Sequence, residues 1–434
     1  YRSSATIEGV NTPETVDQSA HAAGWRVVAP FRFREYRLLM AAVTLSIFAE
    51  GMWAVVMAFQ VIALDDDPRS LSLVATCLGT GLVAFVLVGG LAADRFNQRT
   101  IIIVVEAVNT VIAAAVAALG SAGALQIWHM AVAAGALGVA AAFFFPAYSA
   151  LLPRILPADH LLAANGVEGV VRPVFQRAVG PAVAGLLVGA TFPALGEWAV
   201  AALFGAGLAL LVATRPRLQA VVAEQDRPHL LRDLRDGFSF VAGTPWLLWT
   251  LLFASVFVLV VLGPIEVLLP FVVSERFVHG ERAFGLILAC FGMGSALGAV
   301  AVSSRPLPRR YLTVMMAAWG LGSAPLAIIG VTSSFPVMAA ATFVVGLTDG
   351  AGMVIWGTLL MRRVPAAMLG RVSSLDFFVS LVFLPVSFAI AGPLSTVVSM
   401  QSIFLAAGLA PMVLAAVAVW AAKMRRDELA HPLR

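Results

Sequence analysis

Charged residues are scarce in this sequence: only 12% of its 434 residues are Asp, Glu, Lys or Arg. A soluble globular domain carries about 25% of them. Here 60% of the residues are hydrophobic, and the mean hydropathy is +0.93. This balance excludes an ordinary soluble domain and indicates a chain whose main solvent is the lipid bilayer.

Cysteine and histidine are scarce as well. Cys77 and Cys290 both fall within apolar runs, so a disulfide framework is excluded. The six histidines are scattered along the chain, and neither a phosphate-binding Gly-rich loop nor a His-Glu-x-x-His sequence occurs. We therefore expect no metal site, no cofactor and no catalytic residue, and we do not expect an enzyme.

Long apolar runs dominate what is present. A helix needs about 20 such residues to cross a hydrocarbon core of roughly 30 Å. The sequence predicts an all-α membrane protein with twelve transmembrane helices, numbered here as spans 1 to 12. The runs cover about 37–63, 71–93, 100–120, 126–150, 161–190, 197–214, 246–273, 284–303, 311–331, 335–360, 369–394 and 400–422.

The basic residues are distributed unevenly between the loops. Most of the 28 Lys and Arg residues fall before span 1, after span 12 or in alternate loops between them. The positive-inside rule then predicts a multi-pass protein of the plasma membrane with both termini in the cytoplasm. The net charge of +4 therefore requires no nucleic-acid partner, because the basic residues face the anionic inner leaflet of the bilayer.

An internal repeat divides the chain. The segment "LLPRILPADHLLAANGVEGVV" from Leu151 is similar to "LLMRRVPAAMLGRVSSLDFFV" from Leu359, and the alignment places Glu168 opposite Asp376. Such a duplication predicts two pseudo-symmetric six-helix halves. The predicted segments are a partly mobile cytoplasmic segment 1–35, an N-terminal half 36–214, a linker with an amphipathic helix 215–245, a C-terminal half 246–423 and a cytoplasmic tail 424–434.

The loop between spans 2 and 3, "GGLAADRFNQR", resembles the signature Gly-x-x-x-Asp-Arg/Lys-x-Gly-Arg/Lys-Arg/Lys of the major facilitator superfamily. Asn97 and Gln98 depart from it, and the matching residues are Gly90, Asp94, Arg95 and Arg99. We expect Gly90 to permit a close helix approach. We expect the Asp94 carboxylate to cap a helix of the other half that begins near Leu369 to Arg371, which would close one face of the protein.

Span 5 contains "VGPAVAG", with Gly180 and Pro181, which resembles the glycine-proline signature of the antiporter branches of this superfamily. The wider pattern over about 37–422, including "FAEGMWAVVMAFQV" and "PAYSALLPRILP", resembles the macrolide- and tetracycline-efflux type of drug:proton antiporters, which includes enterobactin-exporter-like proteins. The resemblance implies the twelve-helix major facilitator fold and export driven by proton influx. It does not imply one substrate.

Acidic residues inside the spans are functional candidates, because charge is costly in the bilayer. Glu50 lies about 14 residues into span 1, roughly 20 Å at 1.5 Å per residue and hence near mid-membrane. It is a candidate for proton coupling or for substrate binding, and the alternative is a structural ion pair. Helical spacing places four further residues on its stripe, predicted to line a cavity: Ser46, Trp53, Met57 and Gln60.

Three further intramembrane acids are candidates for proton coupling or substrate binding at the cavity, and the alternative for each is a buried hydrogen-bonded acid. They are Glu106 of span 3, Glu266 of span 7 and Asp349 of span 10. Helical neighbours predicted to line the cavity with them are Asn109 beside Glu106, and Met353 and Trp356 beside Asp349. The aromatic and Met residues of these stripes are more often plain core, and if the stripes face a cavity they suit a lipophilic substrate.

Span 5 holds three charges, which split into a pair and a single residue. Glu168 and Arg172 stand four residues apart, so they predict an ion pair on one helix near the inner gate. Arg177 faces another direction and has no partner on its own helix. We expect it to contact Glu50, Glu106 or an anionic substrate.

Together these features predict a monomeric transporter that exports a lipophilic, drug-like small molecule in exchange for protons by alternating access. An exporter of an anionic amphiphile, such as a siderophore or lipid, is an alternative, because Arg172 and Arg177 lie within a span. A non-transporting receptor or a membrane enzyme is a remote alternative. The bilayer, protons and a small-molecule substrate are the expected partners.

Overall fold

The computed structural model describes residues 29–213 and 230–433, which form helices and connecting turns without a β-strand. A short 3-10 turn, Ala29–Arg32, precedes span 1. The twelve predicted spans are confirmed, with ends that differ by a few residues. They cover Arg34–Leu64, Pro68–Arg95, Gln98–Ser121, Ile127–Ile155, Asp159–Ala190, Pro193–Ala213, Pro245–Arg276, Gly280–Ser303, Tyr311–Val331, Phe335–Arg363, Met368–Ser395 and Met400–Ala421.

Four spans are built from more than one helical segment. Span 5 consists of Ala158–Arg172, a π-helical segment Pro173–Val179 and Gly180–Ala190. Span 7 consists of Pro245–Gly263, a π-helical segment Pro264–Leu268 and Leu269–Arg276. Each π-helical segment begins at a proline, which lacks the N–H that an α-helix would use there. Spans 9 and 11 are divided into Tyr311–Gly322 with Leu326–Val331, and Ala366–Leu381 with Leu384–Ser395.

Two shorter helices lie at the end of the bundle that carries residues 34 and 421, called the terminal end here. The linker helix, Leu230–Ala242, contacts span 11, where Arg371 Nη1 donates to Asp236 Oδ2 at 3.4 Å. The C-terminal helix, Met424–Ala430, is tied to span 10 by the ion pair of Arg363 with Asp427. Most of the N-terminal segment, which was expected to be partly mobile, lies outside the described residues, as does the first part of the linker.

The buried core shows how the two halves meet. One cluster belongs to the N-terminal half, with Tyr36 and Phe144, and one belongs to the C-terminal half, with Trp246. A third cluster contains residues of both halves, among them Phe59 and Phe284, whose rings are 5.8 Å apart. This shared cluster lies toward the distal end, opposite the terminal end.

Spans 2 and 11 join the halves at the distal end. The Ser72 hydroxyl donates to the Phe388 carbonyl, and the Gly392 N–H donates to Ser72 Oγ at 3.2 Å. Gly79 lies against the backbone of span 11, where an added Cβ would be 3.4 Å from Pro385. These contacts bring spans 2 and 11 of the two halves into direct contact.

Spans 5 and 8 form the second distal contact. A Cβ added at Gly285 would be 2.9 Å from the Cα of Gly185 and would overlap the Pro181 carbonyl. Arg282 Nη2 donates to the Gly189 carbonyl at 2.9 Å, nearer the distal end. The absence of side chains at the crossing is what lets the two helices touch.

The halves are separated at the terminal end. A Cβ added at Gly90, Gly166 or Gly370 would meet no atom within 4 Å. Asp94 is exposed and makes no hydrogen bond or ion pair among the described residues, so the expected cap on span 11 is wrong for this conformation. The close approach expected of Gly90 is made by Gly89, which packs against span 4. The structure is therefore closed at the distal end and open at the terminal end.

Candidate functional site

A cavity of about 400 Å³ lies between the two halves and is lined by spans 1, 5, 7, 8, 9 and 10. Most of its wall is apolar. Its larger apolar side chains include Phe257, Leu262, Ile265, Phe291, Trp319 and Val345. Walls of this kind with a few polar groups are typical of small-molecule sites. Within residues 29–213 and 230–433, no group of three or more His, Cys, Asp or Glu side chains is arranged to hold a metal ion.

Four ionisable side chains and one amide, that of Gln176, line this apolar cavity together with three hydroxyl side chains. Glu50 is half-buried, and its Oε2 accepts a hydrogen bond from Gln176 Nε2 at 2.7 Å. Arg177 Nη1 donates to Asp349 Oδ2 at 3.3 Å. Glu266 is exposed and has no hydrogen bond or ion pair in the described part of the chain. The cavity thus holds three carboxyl groups and one guanidinium, and one carboxyl group is already paired with that guanidinium.

Glycines bring the backbones of the cavity-lining helices close together. A Cβ added at Gly51 of span 1 would be 2.9 Å from the Cα of Gln176, and one at Gly180 would be 2.9 Å from the Cα of Gly51. Gly292 of span 8 lies directly against the backbone of Arg177. Gln176 and Arg177 are therefore held between spans 1 and 8, at the junction of the two halves.

The contact of Arg177 corrects the sequence-based expectation. Neither Glu50 nor Glu106 is its partner: Glu50 is bonded to Gln176, and Arg177 is bonded to Asp349 of span 10 in the opposite half. The guanidinium also lies over the Phe291 ring, 5.9 Å from its centroid. Arg177 therefore connects the two halves through the cavity wall.

The stripe predicted on span 1 is only partly correct. Glu50 lines the cavity, but its companions there are Gly51 and Ala54. An α-helix turns by about 100° per residue. On this basis, the centre of the cavity face is rotated by about 90° about the helix axis from the centre of the predicted stripe. The other stripe residues are buried and outside the cavity lining: Ser46, Trp53, Met57 and Gln60.

Glu106 lies in the interior of the N-terminal half. It is 1% exposed, and its Oε1 accepts a hydrogen bond from Ser46 Oγ at 2.6 Å. Asn109, one helical turn away, is also buried, and neither residue lines the cavity. This position matches the alternative interpretation of Glu106 as a buried, hydrogen-bonded acid.

The two span 10 neighbours of Asp349 also lie outside the cavity lining. Trp356 belongs to the core of the C-terminal half, where its Nε1 donates to Asp376 Oδ2 at 3.1 Å. Its ring lies 6.3 Å from Trp246 and 6.5 Å from Trp319. Met353 is one turn from Asp349 toward the terminal end and is 53% exposed.

Most of the predicted gate residues lie in the terminal half of the bundle, whereas Gly180 and Pro181 lie where span 5 packs against spans 1 and 8. Glu168 and Arg172 form the expected ion pair, with Oε1 and Nη2 3.0 Å apart. Arg99 Nη2 donates to the Leu211 carbonyl at 3.1 Å, which ties the start of span 3 to the end of span 6. Asn97 caps span 3, since its side chain accepts from two backbone N–H groups. Arg95 is exposed at the open face.

Sequence reasoning missed Glu197 of span 6. It is fully buried, and both of its carboxyl oxygens lack a hydrogen-bond partner among the described residues. It lies near the distal end beside Gly120, away from the cavity. The available signal was the one used for Glu50, a single acid inside an apolar run. Phe257, Phe291 and Trp319 were also missed, because aromatic residues in a span carry no comparable signal.

Comparisons with known proteins agree with this architecture. The family model described as Major Facilitator Superfamily matches residues 39–382. The multidrug efflux pump Tap of Mycolicibacterium fortuitum is 27% identical over 407 residues, covering 91% of this chain and 97% of Tap. The enterobactin exporter EntS of Escherichia coli is 24% identical over 355 residues, covering 78% of this chain and 80% of EntS.

Two solved structures show the same fold at lower sequence identity. A bacterial homologue of the human lysosomal transporter Spinster, in an inward-facing and unoccupied conformation, has a TM-score of 0.66 and 15% identity, covering 92% of this chain and 98% of its own. The nucleoside transporter NupG has a TM-score of 0.63 and 13% identity, covering 91% and 99%.

Proposed function

This chain belongs to the Major Facilitator Superfamily, and we propose that it exports a lipophilic small molecule in exchange for protons. Membership makes it a multi-pass membrane transporter rather than an enzyme. A multidrug efflux pump and an enterobactin exporter among its relatives support export as the direction of transport. The proposal extends to the substrate class and to the coupling residue.

The cavity between the halves is the observation that carries the proposal. Its apolar wall suits a lipophilic molecule, and its acidic groups outnumber its single guanidinium. Because Arg177 is paired with Asp349, Glu50 and Glu266 remain to attract a positive charge. The site therefore favours a lipophilic molecule that is neutral or cationic.

Alternating access supplies the transport step. We propose that the terminal end is cytoplasmic, as the distribution of basic residues predicts, so the open face admits substrate from the cytoplasm. After the halves rock to open the distal end, a proton binds Glu50 and removes the charge that held a cationic substrate. Glu50 therefore holds either a proton or a cationic substrate, and this competition couples the movement of the proton to that of the substrate.

Proteoliposomes with an imposed pH gradient test this role of Glu50. Glu50→Gln keeps the side chain's shape but cannot bind and release a proton, so we expect gradient-driven uptake of ethidium, a lipophilic cation, to be abolished. Glu106→Gln is the matched control, since it alters a buried acid outside the cavity. Gradient-driven transport at the wild-type rate in Glu50→Gln would contradict the proposal.

One observation favours an anionic amphiphile as a second candidate substrate. Half of the Arg177 side chain is exposed to the cavity in spite of its ion pair. The ion pair uses Nη1 alone, so the other N–H groups of the guanidinium could bind an anionic group. Arg177→Gln should then abolish binding of an anionic detergent to the purified protein and leave ethidium binding in place, whereas a cation exporter shows no specific binding of the anion in either form.

A further inference from the structure

A second groove lies on the outside of the C-terminal half, between spans 9 and 12 near the terminal end. Its volume is about 700 Å³. Its apolar wall includes Met316, Ala317 and Leu321 of span 9, and Met412, Ala416 and Val419 of span 12. Leu321 is 59% exposed at its side, so the groove opens on the bilayer-facing surface and is separate from the central cavity.

Basic side chains surround the terminal end of this groove. Lys423, Arg425 and Arg426 line it, and all three are exposed. In the described part of the chain none of them forms an ion pair or a side-chain hydrogen bond. The mouth of an apolar groove therefore carries three uncompensated positive charges.

The two acids of the same segment do not line the groove, and both are bonded to the protein. Asp427 is ion-paired with Arg363, and the buried Glu428 accepts hydrogen bonds from Thr313 N and Oγ1 at 3.1 and 2.7 Å. The two acids attach the C-terminal helix to the bundle. The segment thus has one face bonded to the protein and one basic face left for an external anion.

The backbone between span 12 and the C-terminal helix supports this arrangement. Lys423 has φ 49°, and it is the only non-glycine residue with a positive φ in residues 29–213 and 230–433. A side chain disfavours this conformation, and glycine is the usual residue in it. The left-handed turn redirects the chain and places Arg425 and Arg426 beside the groove.

We propose that this groove binds one anionic phospholipid, with its phosphate headgroup against Lys423, Arg425 and Arg426 and an acyl chain along spans 9 and 12. The apolar groove matches an acyl chain, and the basic cluster matches a headgroup with net negative charge. Trp420, 81% exposed at the same level, is the residue type that favours the membrane–water interface.

Native mass spectrometry of the purified full chain tests the proposal, with phosphatidylglycerol as the anionic probe and phosphatidylcholine as the zwitterionic probe. We expect one phosphatidylglycerol to be retained preferentially. The triple variant Lys423→Gln, Arg425→Gln, Arg426→Gln should weaken its retention by about a hundredfold, because each basic side chain near an anionic lipid contributes about fivefold.

A matched triple variant controls for the loss of charge. Arg32, Arg34 and Arg37 are exposed at the same end of the bundle in the other half, and their replacement by Gln should leave retention at the wild-type level. Equal retention of the two lipids by the wild type, or a similar loss in both triple variants, overturns the proposal.

A second variant tests the acyl-chain part of the site. Ala416→Trp fills the groove without changing charge, and we expect it to reduce phosphatidylglycerol retention as well. Thermal unfolding of each variant, expected at a temperature close to that of the wild type, checks that the protein remains folded. Unreduced retention by either Ala416→Trp or the groove triple variant overturns the proposal.

Discussion

Replacing Arg177 by Gln removes an ion pair that joins the two halves beside the cavity. Arg177 Nη1 and Asp349 Oδ2 are 3.3 Å apart, and the two side chains are 50% and 25% exposed. Two unit charges at this distance attract each other by about 5 kcal/mol at an effective dielectric constant of 20. Solvent screening of the exposed guanidinium reduces the net contribution to about 1–2 kcal/mol, between the values of exposed and buried pairs.

This energy bears on the equilibrium between conformations. The pair is formed while the terminal end is open, and the rocking proposed above would move spans 5 and 10 relative to each other. We expect Arg177→Gln to lower the ratio of terminal-open to terminal-closed molecules by about 5- to 30-fold, the factor that 1–2 kcal/mol represents. Distances between spin labels placed across the terminal end of the two halves measure this ratio.

Two further variants make the Arg177 experiment decisive. The exchange Arg177→Asp with Asp349→Arg should restore the ratio, because it rebuilds the pair with reversed charges. Arg172→Gln breaks the 3.0 Å pair with Glu168, which lies within one helix, so it should leave the ratio unchanged. An unaltered ratio in both Arg177→Gln and Asp349→Asn would refute the reasoning.

Three other substitutions test packing and buried charge. Gly285→Ala should separate spans 5 and 8 and lengthen spin-label distances across the distal end, whereas Gly166→Ala, where a methyl group meets no atom within 4 Å, should not. Glu197→Met removes a buried carboxyl group without a protein partner, and thermal unfolding should show a gain of about 1–3 kcal/mol. Arg363→Gln should lower the free energy of unfolding by about 1.5–3 kcal/mol, because its charged hydrogen bonds to Asp427 are lost. Arg362→Gln, which changes the exposed neighbour, should be close to wild type. Equal stabilities of these two variants would contradict the attachment of the C-terminal helix to span 10 by Arg363.

The twelve spans were predictable because the bilayer imposes one simple requirement on the sequence. Each crossing needs about 20 apolar residues, so span 1 was predicted at 37–63 and is observed at Arg34–Leu64. The Glu168–Arg172 pair was predictable for a related reason, since both residues lie on one helix with fixed geometry. Features confined to one helix follow directly from the order of its residues.

The orientation of each helix in the bundle was not predictable in this way. Polar and large residues on span 1 indicated a stripe through Trp53 and Met57, but both are buried away from the cavity. The cavity face is formed instead by Glu50 and two small residues, Gly51 and Ala54. Which face meets the cavity depends on where neighbouring helices pack, and Gly51 allows span 5 to pack closely there.

The partner of Arg177 was missed because of the helical geometry of span 5. The prediction used about 100° per residue throughout, whereas Pro173–Val179 is π-helical. A π-turn holds one more residue than an α-turn, which rotates the residues after it by about 100° relative to a regular helix. Gln176 and Arg177 consequently both line the cavity, one bonded to Glu50 of its own half and the other to Asp349 of the opposite half. Span 7 carries Glu266 in a second π-helical segment, so two of the four ionisable groups in the cavity, Arg177 and Glu266, lie on segments that a regular α-helix would orient differently.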